Sequence, residues 1–232
     1  MTECHLEFNH LTLDMASVGA MNDVSATGSS GIQPDLPVEL VWGLPGGLGP
    51  HWDPVSSTAE IPGVLPPPSE VESLYGAAAA LPPLNEDPKY AALFADVYEV
   101  SVRNGQVLAA LTRSDGHLRS FAYGHFWSWQ EQNYSWAYEL NESLGDAAPH
   151  LEWTYALNLL ARDPDWKSTG IGRRTLEAWL GGVSGYACWL QTDDIDSPAR
   201  RIYSSLGFVE LGHGPQAPNG QPGLVMFRPP VL

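Results

Sequence analysis

The sequence predicts an α/β fold in which helices flank a mixed β-sheet. From Val107 onward, apolar runs typical of strands and helices follow one another in the order β-β-β-α-β-α-β-β. Each of the two helices in this series has a start signal, the glycine turn Gly170–Gly172 and the pair Ser197-Pro198. Hydrophobic residues make up 44% of the 232-residue chain, which is enough for one large core.

The chain divides into two segments of different composition. Residues 1–68 are predicted to form an irregular N-terminal extension rich in Gly, Pro and Ser, with short strand candidates at residues 6–13 and 38–42. Residues 69–232 are predicted to form the folded domain. It opens with a capping box, Ser69 and Glu72, that begins a helix reaching Leu81.

The other elements follow from apolar runs and their boundaries. A second helix begins near Pro88, and its tail at residues 97–102 could be helix or strand. Asp115-Gly116 predicts a hairpin, because both residues tolerate positive φ. Strands are predicted at 107–113, 118–127, 153–161, 186–192, 208–211 and 224–227, helices at 172–180 and 197–206, and an irregular connection at 128–149.

Charge and cysteine content argue against nucleic acid, anionic membranes and metal ions as binding partners. The formal net charge of −16 repels nucleic acid and anionic membranes; it suits a cationic substrate, although solubility alone also explains it. The two cysteines, Cys4 and Cys188, match neither a disulfide framework nor a zinc pattern, so we predict no metal site. We find neither a membrane-length apolar run nor a signal peptide, and expect a cytoplasmic protein.

The first motif is the turn Lys167–Gly172, which lies between a predicted strand and a predicted helix. The first amides of a helix have no partners within the helix, and the helix dipole adds partial positive charge there. Gly170 and Gly172 allow a phosphate to approach the backbone closely. The turn fits neither a Walker loop nor a dinucleotide fingerprint. Alone, it predicts an anion site or only a turn.

The second motif follows about 25 residues later, at Asp196–Phe208. Together the two motifs resemble the GNAT acetyltransferase superfamily, which carries Arg/Gln-x-x-Gly-x-Gly/Ala and then Asn-x-x-Ala-x-x-x-Tyr-x-x-x-Gly-Phe. The chain departs from this pattern with Lys167 at the first motif and Asp196 for Asn at the second. It matches the second motif at Ala199, Tyr203, Gly207 and Phe208.

The resemblance implies a mostly antiparallel sheet that is splayed at the cofactor site, and acetyl-CoA as acetyl donor. The amides of Ser168–Arg173 would hold the pyrophosphate, and the strand end at Leu160–Arg162 would pair with the pantetheine. The cofactor-binding residues it implies are Leu160, Ala161, Arg162, Lys167, Ser168, Thr169, Gly170, Ile171, Gly172, Arg173, Asp196 and Ala199.

The resemblance also implies that Tyr203 is the general acid that protonates the departing thiolate. The family's usual base position is Ala156, which cannot accept a proton. Glu152 lies on the same face of the predicted strand and is our candidate base, directly or through a water, although it could equally be a solvated strand-end residue. His125 is an alternative.

The aromatic segment after residue 126 is a candidate acceptor pocket. Trp127, Trp129 and Trp136 could form its walls and Glu131 could bind a cation, since aromatic faces attract ammonium groups. These aromatics could equally cover the sheet edge or a dimer interface.

The function that follows is an acetyl-CoA-dependent N-acetyltransferase acting on a primary amine, expected to be a small cationic molecule. Two alternatives stay open: a protein or peptide N-acetyltransferase, and a catalytically silent acyl-CoA-binding or regulatory domain. Association into a homodimer is also left open.

Overall fold

The computed structural model describes residues 36–42, 65–104 and 107–231. The strand candidate at residues 6–13 lies outside them. The strands are β1 (Glu39–Trp42), β2 (Val107–Ser114), β3 (His117–Trp127), β4 (Thr154–Arg162), β5 (Cys188–Asp193), β6 (Val209–Gly214) and β7 (Gly223–Arg228). The helices are α1 (Pro68–Ala79), α2 (Lys89–Asn104), α3 (Ser135–Leu144), α4 (Ile171–Gly182) and α5 (Pro198–Ser205).

The described strands form one sheet in the order β1-β2-β3-β4-β5-β7-β6. Each neighbouring pair is antiparallel except β4 and β5, which are parallel. The mixed, mostly antiparallel sheet predicted from the sequence is therefore confirmed. No helix among the described residues is long and apolar enough to cross a membrane.

Helices cover both faces of the sheet. On one face, α4 and α5 pack on a cluster that includes Leu176, Trp179 and Tyr203. On the other face, α1 and α2 cover one half of the sheet and α3 covers the other. Successive β2 residues, Leu108 and Ala109, belong to clusters on opposite faces, as the alternation of side chains in a strand requires.

A glycine allows α4 to pack closely on the central strands. A Cβ atom on Gly124 would lie 2.1 Å from the Ala156 carbonyl oxygen and 2.6 Å from the Trp179 ring. The buried Trp179 indole N–H donates a 3.0 Å hydrogen bond to the Leu108 carbonyl. This bond fixes α4, and with it the turn that precedes α4, relative to the sheet.

The sequence predicted a capping residue for two helices, and the structure confirms one of these caps and not the other. Ser197 caps α5 as predicted, since its side chain accepts a 3.1 Å hydrogen bond from the Arg200 amide. The predicted capping box at Ser69 is wrong, because α1 begins at Pro68 and no side-chain hydrogen bond caps it. Proline at the first helical position needs no amide partner, which removes part of the need for a cap.

For three other segments the structure settles one open alternative, corrects one prediction and confirms another. Residues 97–102 are helical and belong to α2. Residues 128–149 are not irregular, because they contain a 3-10 helix at Trp129–Glu131, then α3, and part of a second 3-10 helix at Gly145–Leu151. The strand candidate at residues 38–42 is confirmed, since Glu39–Trp42 form the edge strand β1 paired with β2.

Candidate active site

A cleft opens between the two parallel strands. The pairing of β4 with β5 is limited to Tyr155–Leu157 against Cys188–Leu190. Beyond these positions β4 continues to Arg162 and β5 to Asp193 without pairing to each other. The backbone of β4 facing the cleft therefore has free hydrogen-bonding groups, which an extended ligand can use as an added strand.

A β-bulge in β4 marks the start of this cleft. The register with β3 steps from Leu157 opposite Gly124 to Leu159 opposite Tyr123, so Asn158 is the extra residue. The Asn158 side-chain oxygen is buried and has no hydrogen-bond partner among the described residues. The bulge shifts the alternation of side chains, so Ala156 and Leu159 lie on the same face.

The glycine turn follows directly after β4. Gly170 has φ of +73°, a left-handed conformation that glycine adopts without strain, and α4 begins at the next residue. The Ile171 amide donates to the Thr169 hydroxyl at 3.3 Å. The amides of Gly172 and Arg173, also in the first turn of α4, have no acceptor inside the helix, which is the arrangement that the predicted anion cradle requires.

Basic side chains surround this cradle, although the chain is strongly acidic. Arg162, Lys167, Arg173 and Arg174 are four of its eleven Lys and Arg residues. Lys167 is exposed. A Cβ atom on Gly172 would lie 3.8 Å from the Arg162 Cβ, so the start of α4 packs on the end of β4. Free amides and local positive charge fit a pyrophosphate group.

The other predicted cofactor residues lie on β4 and at the start of α5. Leu160, Ala161 and Arg162 are on its β4 side. Ala199 is in the first turn of α5, where it packs against the core. Asp196 lies just before α5, is 78% exposed and pairs with Arg201 at 2.6 Å. Its carboxylate therefore stabilises the start of α5 rather than presenting a free charge to a phosphate.

Tyr203 projects from α5 into the sheet. Its ring packs edge-on against Phe208 with 6.0 Å between centroids, and the side chain is 7% exposed. Its hydroxyl has no hydrogen-bond partner among the described residues, yet it is not sealed from solvent. Burial, together with the charge of Asp193, raises the pKa of Tyr203. The hydroxyl therefore stays protonated, as a general acid must be before it acts.

Sequence reasoning missed a group of polar side chains at the open end of β5. Asp193 is the last residue of β5 and Glu86 lies in the loop between α1 and α2; they are 5% and 8% exposed. Asn219 donates to Asp193 at 2.6 Å, and Tyr75 donates to Glu86 at 2.6 Å. Burial raises the pKa of both carboxyl groups. The position of Asp193 after a buried strand was a local signal, whereas Glu86 had none.

The two residues considered as general base from the sequence, Glu152 and His125, do not lie at the open end of β5. Glu152 accepts hydrogen bonds from the Trp129 amide at 2.8 Å and the Ser128 hydroxyl at 3.1 Å, before the start of β4. The glycine turn lies beyond the other end of β4, a strand about 26 Å long. Glu152 thus supports the turn after β3. His125 lies opposite Ala156 on β3, and burial lowers its pKa to about 4.

The aromatic segment forms core rather than an open pocket. Trp127 is 1% exposed and packs edge-on against Trp129 and Trp189 with centroid distances of 5.2 and 4.8 Å. The Trp136 ring stacks on the Tyr134 ring with 6.4 Å between their centroids, and Trp136 packs against the same cluster. Because Trp127 is opposite Thr154, this segment lies at the far end of β4 from the glycine turn.

Glu131 is the charged member of the predicted pocket. It lies in the 3-10 helix after β3, and burial together with the nearby Glu152 raises its pKa. Glu131 therefore lies near Glu152 at the end of β4 opposite the glycine turn.

Comparisons with known proteins find similar solved structures but no match in sequence. No protein-family model matches the sequence, and no curated protein matches it. Among solved structures, the Pyrococcus horikoshii protein PH1933 is 12% identical, with a TM-score of 0.52 over 84% of this chain and 100% of its own. The Escherichia coli ribosomal-protein-S18-alanine N-acetyltransferase is 19% identical, with a TM-score of 0.47 over 71% of this chain and 88% of its own.

An acetyltransferase of the GNAT family from Streptococcus agalactiae is also similar. It is 15% identical, with a TM-score of 0.40 over 53% of this chain and 66% of its own. The likeness to PH1933 shows a shared fold. The mostly antiparallel sheet and the splayed parallel pair match the fold that the resemblance to GNAT acetyltransferases implies, so the predicted fold is confirmed.

Proposed function

We propose that this protein is an acetyl-CoA-dependent N-acetyltransferase that acts on a primary amine. One observation carries the proposal: α4, whose first-turn amides have no acceptor inside the helix, and α5, which carries Tyr203, pack on the same face of the sheet where β4 and β5 stop pairing. A fold alone does not define a function, but a cradle, a free strand edge and a general acid along one cleft are the parts that this transfer needs.

Different residues of the cleft bind different parts of acetyl-CoA. The first-turn amides of α4 and the exposed Lys167 hold the pyrophosphate, and Leu160–Arg162 on β4 offer backbone groups to the pantetheine arm. Bound acetyl-CoA supplies an activated thioester. Tyr203 donates its hydroxyl proton to the departing sulfur, since burial keeps that proton in place.

The acceptor is proposed to be a small amine rather than a folded protein. The Asn219 amide reaches the Leu84 carbonyl at 3.5 Å, so the loop between β6 and β7 meets the loop between α1 and α2. These two loops close over the open end of β5. A closed mouth favours a small molecule, whereas a protein N-terminus would need an open groove.

A thiol-release assay with a thermal-shift control tests this function. The purified protein is melted with and without acetyl-CoA, and free thiol is then followed with spermidine, lysine amide, benzylamine and a short peptide. We expect acetyl-CoA to raise the melting temperature and at least one amine to release thiol. Stabilisation without thiol release from any amine would favour the silent acyl-CoA-binding alternative. An unchanged melting temperature would contradict both.

A further inference from the structure

Two buried carboxylates at the mouth of the cleft lack a cationic partner. The neighbouring Asp194, by contrast, pairs with Arg200 at 2.8 Å. Asp193 and Glu86 form no ion pair with any described residue, although they are more deeply buried. A buried carboxylate without a counter-ion is costly, so such a pair is expected where a ligand supplies the positive charge.

The groups that face Asp193 come from four elements. Asn219 lies in the loop between β6 and β7, Glu86 between α1 and α2, Tyr75 on α1 and Tyr203 on α5. Asn219 is neutral, and the two tyrosines are also uncharged because burial raises the pKa of each. The local field is therefore negative and favours a cation.

The Tyr203 hydroxyl gives an independent indication of a ligand. The side chain is more than nine-tenths buried, and no described residue accepts its proton. Buried hydroxyls normally have a partner, so an unpaired one that is open to a cleft indicates a missing ligand. Its nearness to Asp193 places this unpaired donor beside the carboxylates.

We propose that Glu86 and Asp193 bind the ammonium group of the acceptor and that Asp193 takes its proton. This rests on the proposed function, since it assigns the acceptor half of the same cleft. Asp193 is the better placed of the two because it lies on β5 beside Tyr203, whereas Glu86 is held by Tyr75. The substrate class is then a small primary amine that arrives protonated.

The proton and electron movements balance. Asp193 removes one proton from the ammonium nitrogen, and the freed lone pair forms a C–N bond at the thioester carbonyl carbon. The C–S bond breaks, its electron pair leaves on sulfur, and Tyr203 gives its proton to that sulfur. The second nitrogen proton restores Tyr203, and Asp193 loses its proton to solvent. The products are an amide, a thiol and one proton.

Neutral isosteres of the two carboxylates test this proposal. In Asp193→Asn and Glu86→Gln the shape is kept and the charge is lost; Asp96→Asn on α2 and Glu142→Gln on α3 are exposed controls. Three quantities are measured: stabilisation by acetyl-CoA, thiol release with the best amine of the panel, and stabilisation by propylamine compared with propanol, its uncharged analogue.

We expect Asp193→Asn to bind acetyl-CoA normally but to lose about 100-fold or more in kcat, the usual contribution of a general base. We expect Glu86→Gln to raise the KM for the amine about 10-fold, as loss of one charge-assisted hydrogen bond does. Propylamine, but not propanol, should stabilise the unmodified protein, and both charge-removing variants should lose this effect.

Removing either charge should also raise the melting temperature of the free protein. Ionised Asp193 and Glu86 have raised pKa values in the folded state, so their ionisation opposes folding above the unfolded-state pKa. Gained stability with lost turnover separates an acceptor site from a merely structural role.

The inference is overturned if Asp193→Asn keeps full turnover. It is also overturned if propylamine stabilises the unmodified protein no more than propanol does. Failure of acetyl-CoA binding in the unmodified protein contradicts the proposed function instead. The two failures are therefore distinguishable.

Discussion

The Asn219 side-chain amide donates a 2.6 Å hydrogen bond to the Asp193 carboxylate. This bond joins the loop between β6 and β7 to the end of β5, and it partly opposes the burial that raises the pKa of Asp193. In the proposed mechanism Asn219 is therefore a positioning residue, which acts on the acceptor through Asp193.

Replacing Asn219 should shift the pH dependence of transfer. Without this donor the pKa of Asp193 rises further, so Asn219→Ala should move the acidic limb of the kcat/KM profile to higher pH. At low pH the variant loses rate because Asp193 is protonated, and at high pH it recovers part of it. Asn141→Ala on the exposed side of α3 is the control. An unshifted limb would exclude this role for Asn219.

Gly170 should be required for the anion cradle. Any L side chain at φ of +73° is strained, so Gly170→Ala should lower the free energy of unfolding by about 1 kcal/mol and weaken acetyl-CoA binding. Gly181→Ala near the end of α4 is the matched control: an added Cβ meets nothing there, and alanine favours the helix. Denaturant unfolding and acetyl-CoA titration measure both effects. Equal affinities in the two variants would contradict the cradle.

Tyr203→Phe should lower kcat while leaving acetyl-CoA binding intact. The ring keeps its place beside Phe208, and only the proton donor is lost, so we expect a decrease of about 100-fold. Tyr138→Phe is the control, since Tyr138 lies exposed on α3 and donates to Asn133 at 2.8 Å. Full turnover by Tyr203→Phe would remove Tyr203 from the mechanism.

The aromatic segment should matter for stability and not for the acceptor. Trp127→Phe leaves a cavity between Trp129 and Trp189, and we expect a loss of about 1–3 kcal/mol in the free energy of unfolding. Its KM for the amine should be unchanged. A raised KM at unchanged stability would instead support the aromatic acceptor pocket that composition suggested.

The sequence correctly predicted the turns and helix starts that are determined by a few consecutive residues. The hairpin at Asp115-Gly116, the cap at Ser197 and the turn before α4 each depend on residues close together in the chain. Helix α3 was missed because its aromatic-rich sequence has no start signal, and tertiary packing on β6 stabilises it instead. The local structure at residues with strong conformational preferences can be predicted from the sequence, whereas packing between elements that are distant in the chain cannot.

The turn of the proposed cofactor site could be predicted from the sequence for the same reason, whereas the proposed acceptor site could not. Lys167–Gly172 is one continuous turn, whereas Glu86 and Asp193 come from segments more than 100 residues apart and meet only through the fold. The bulge at Asn158 also changes which β4 side chains share a face. Glu152 lies before the start of β4, and Trp153 between them has φ of +60°, so the strand alternation used to select Glu152 does not extend to it.

Acetyl transfer from acetyl-CoA to a primary amine is the central claim, and product detection tests it most directly. The purified protein is incubated with acetyl-CoA and the amine panel, and products are identified by mass spectrometry beside released thiol. We expect an amide heavier than its amine by one acetyl group, in equal amount to the thiol, and none with Tyr203→Phe over the same time. Thiol released without an acetylated amine, or no thiol from any amine, would contradict the claim.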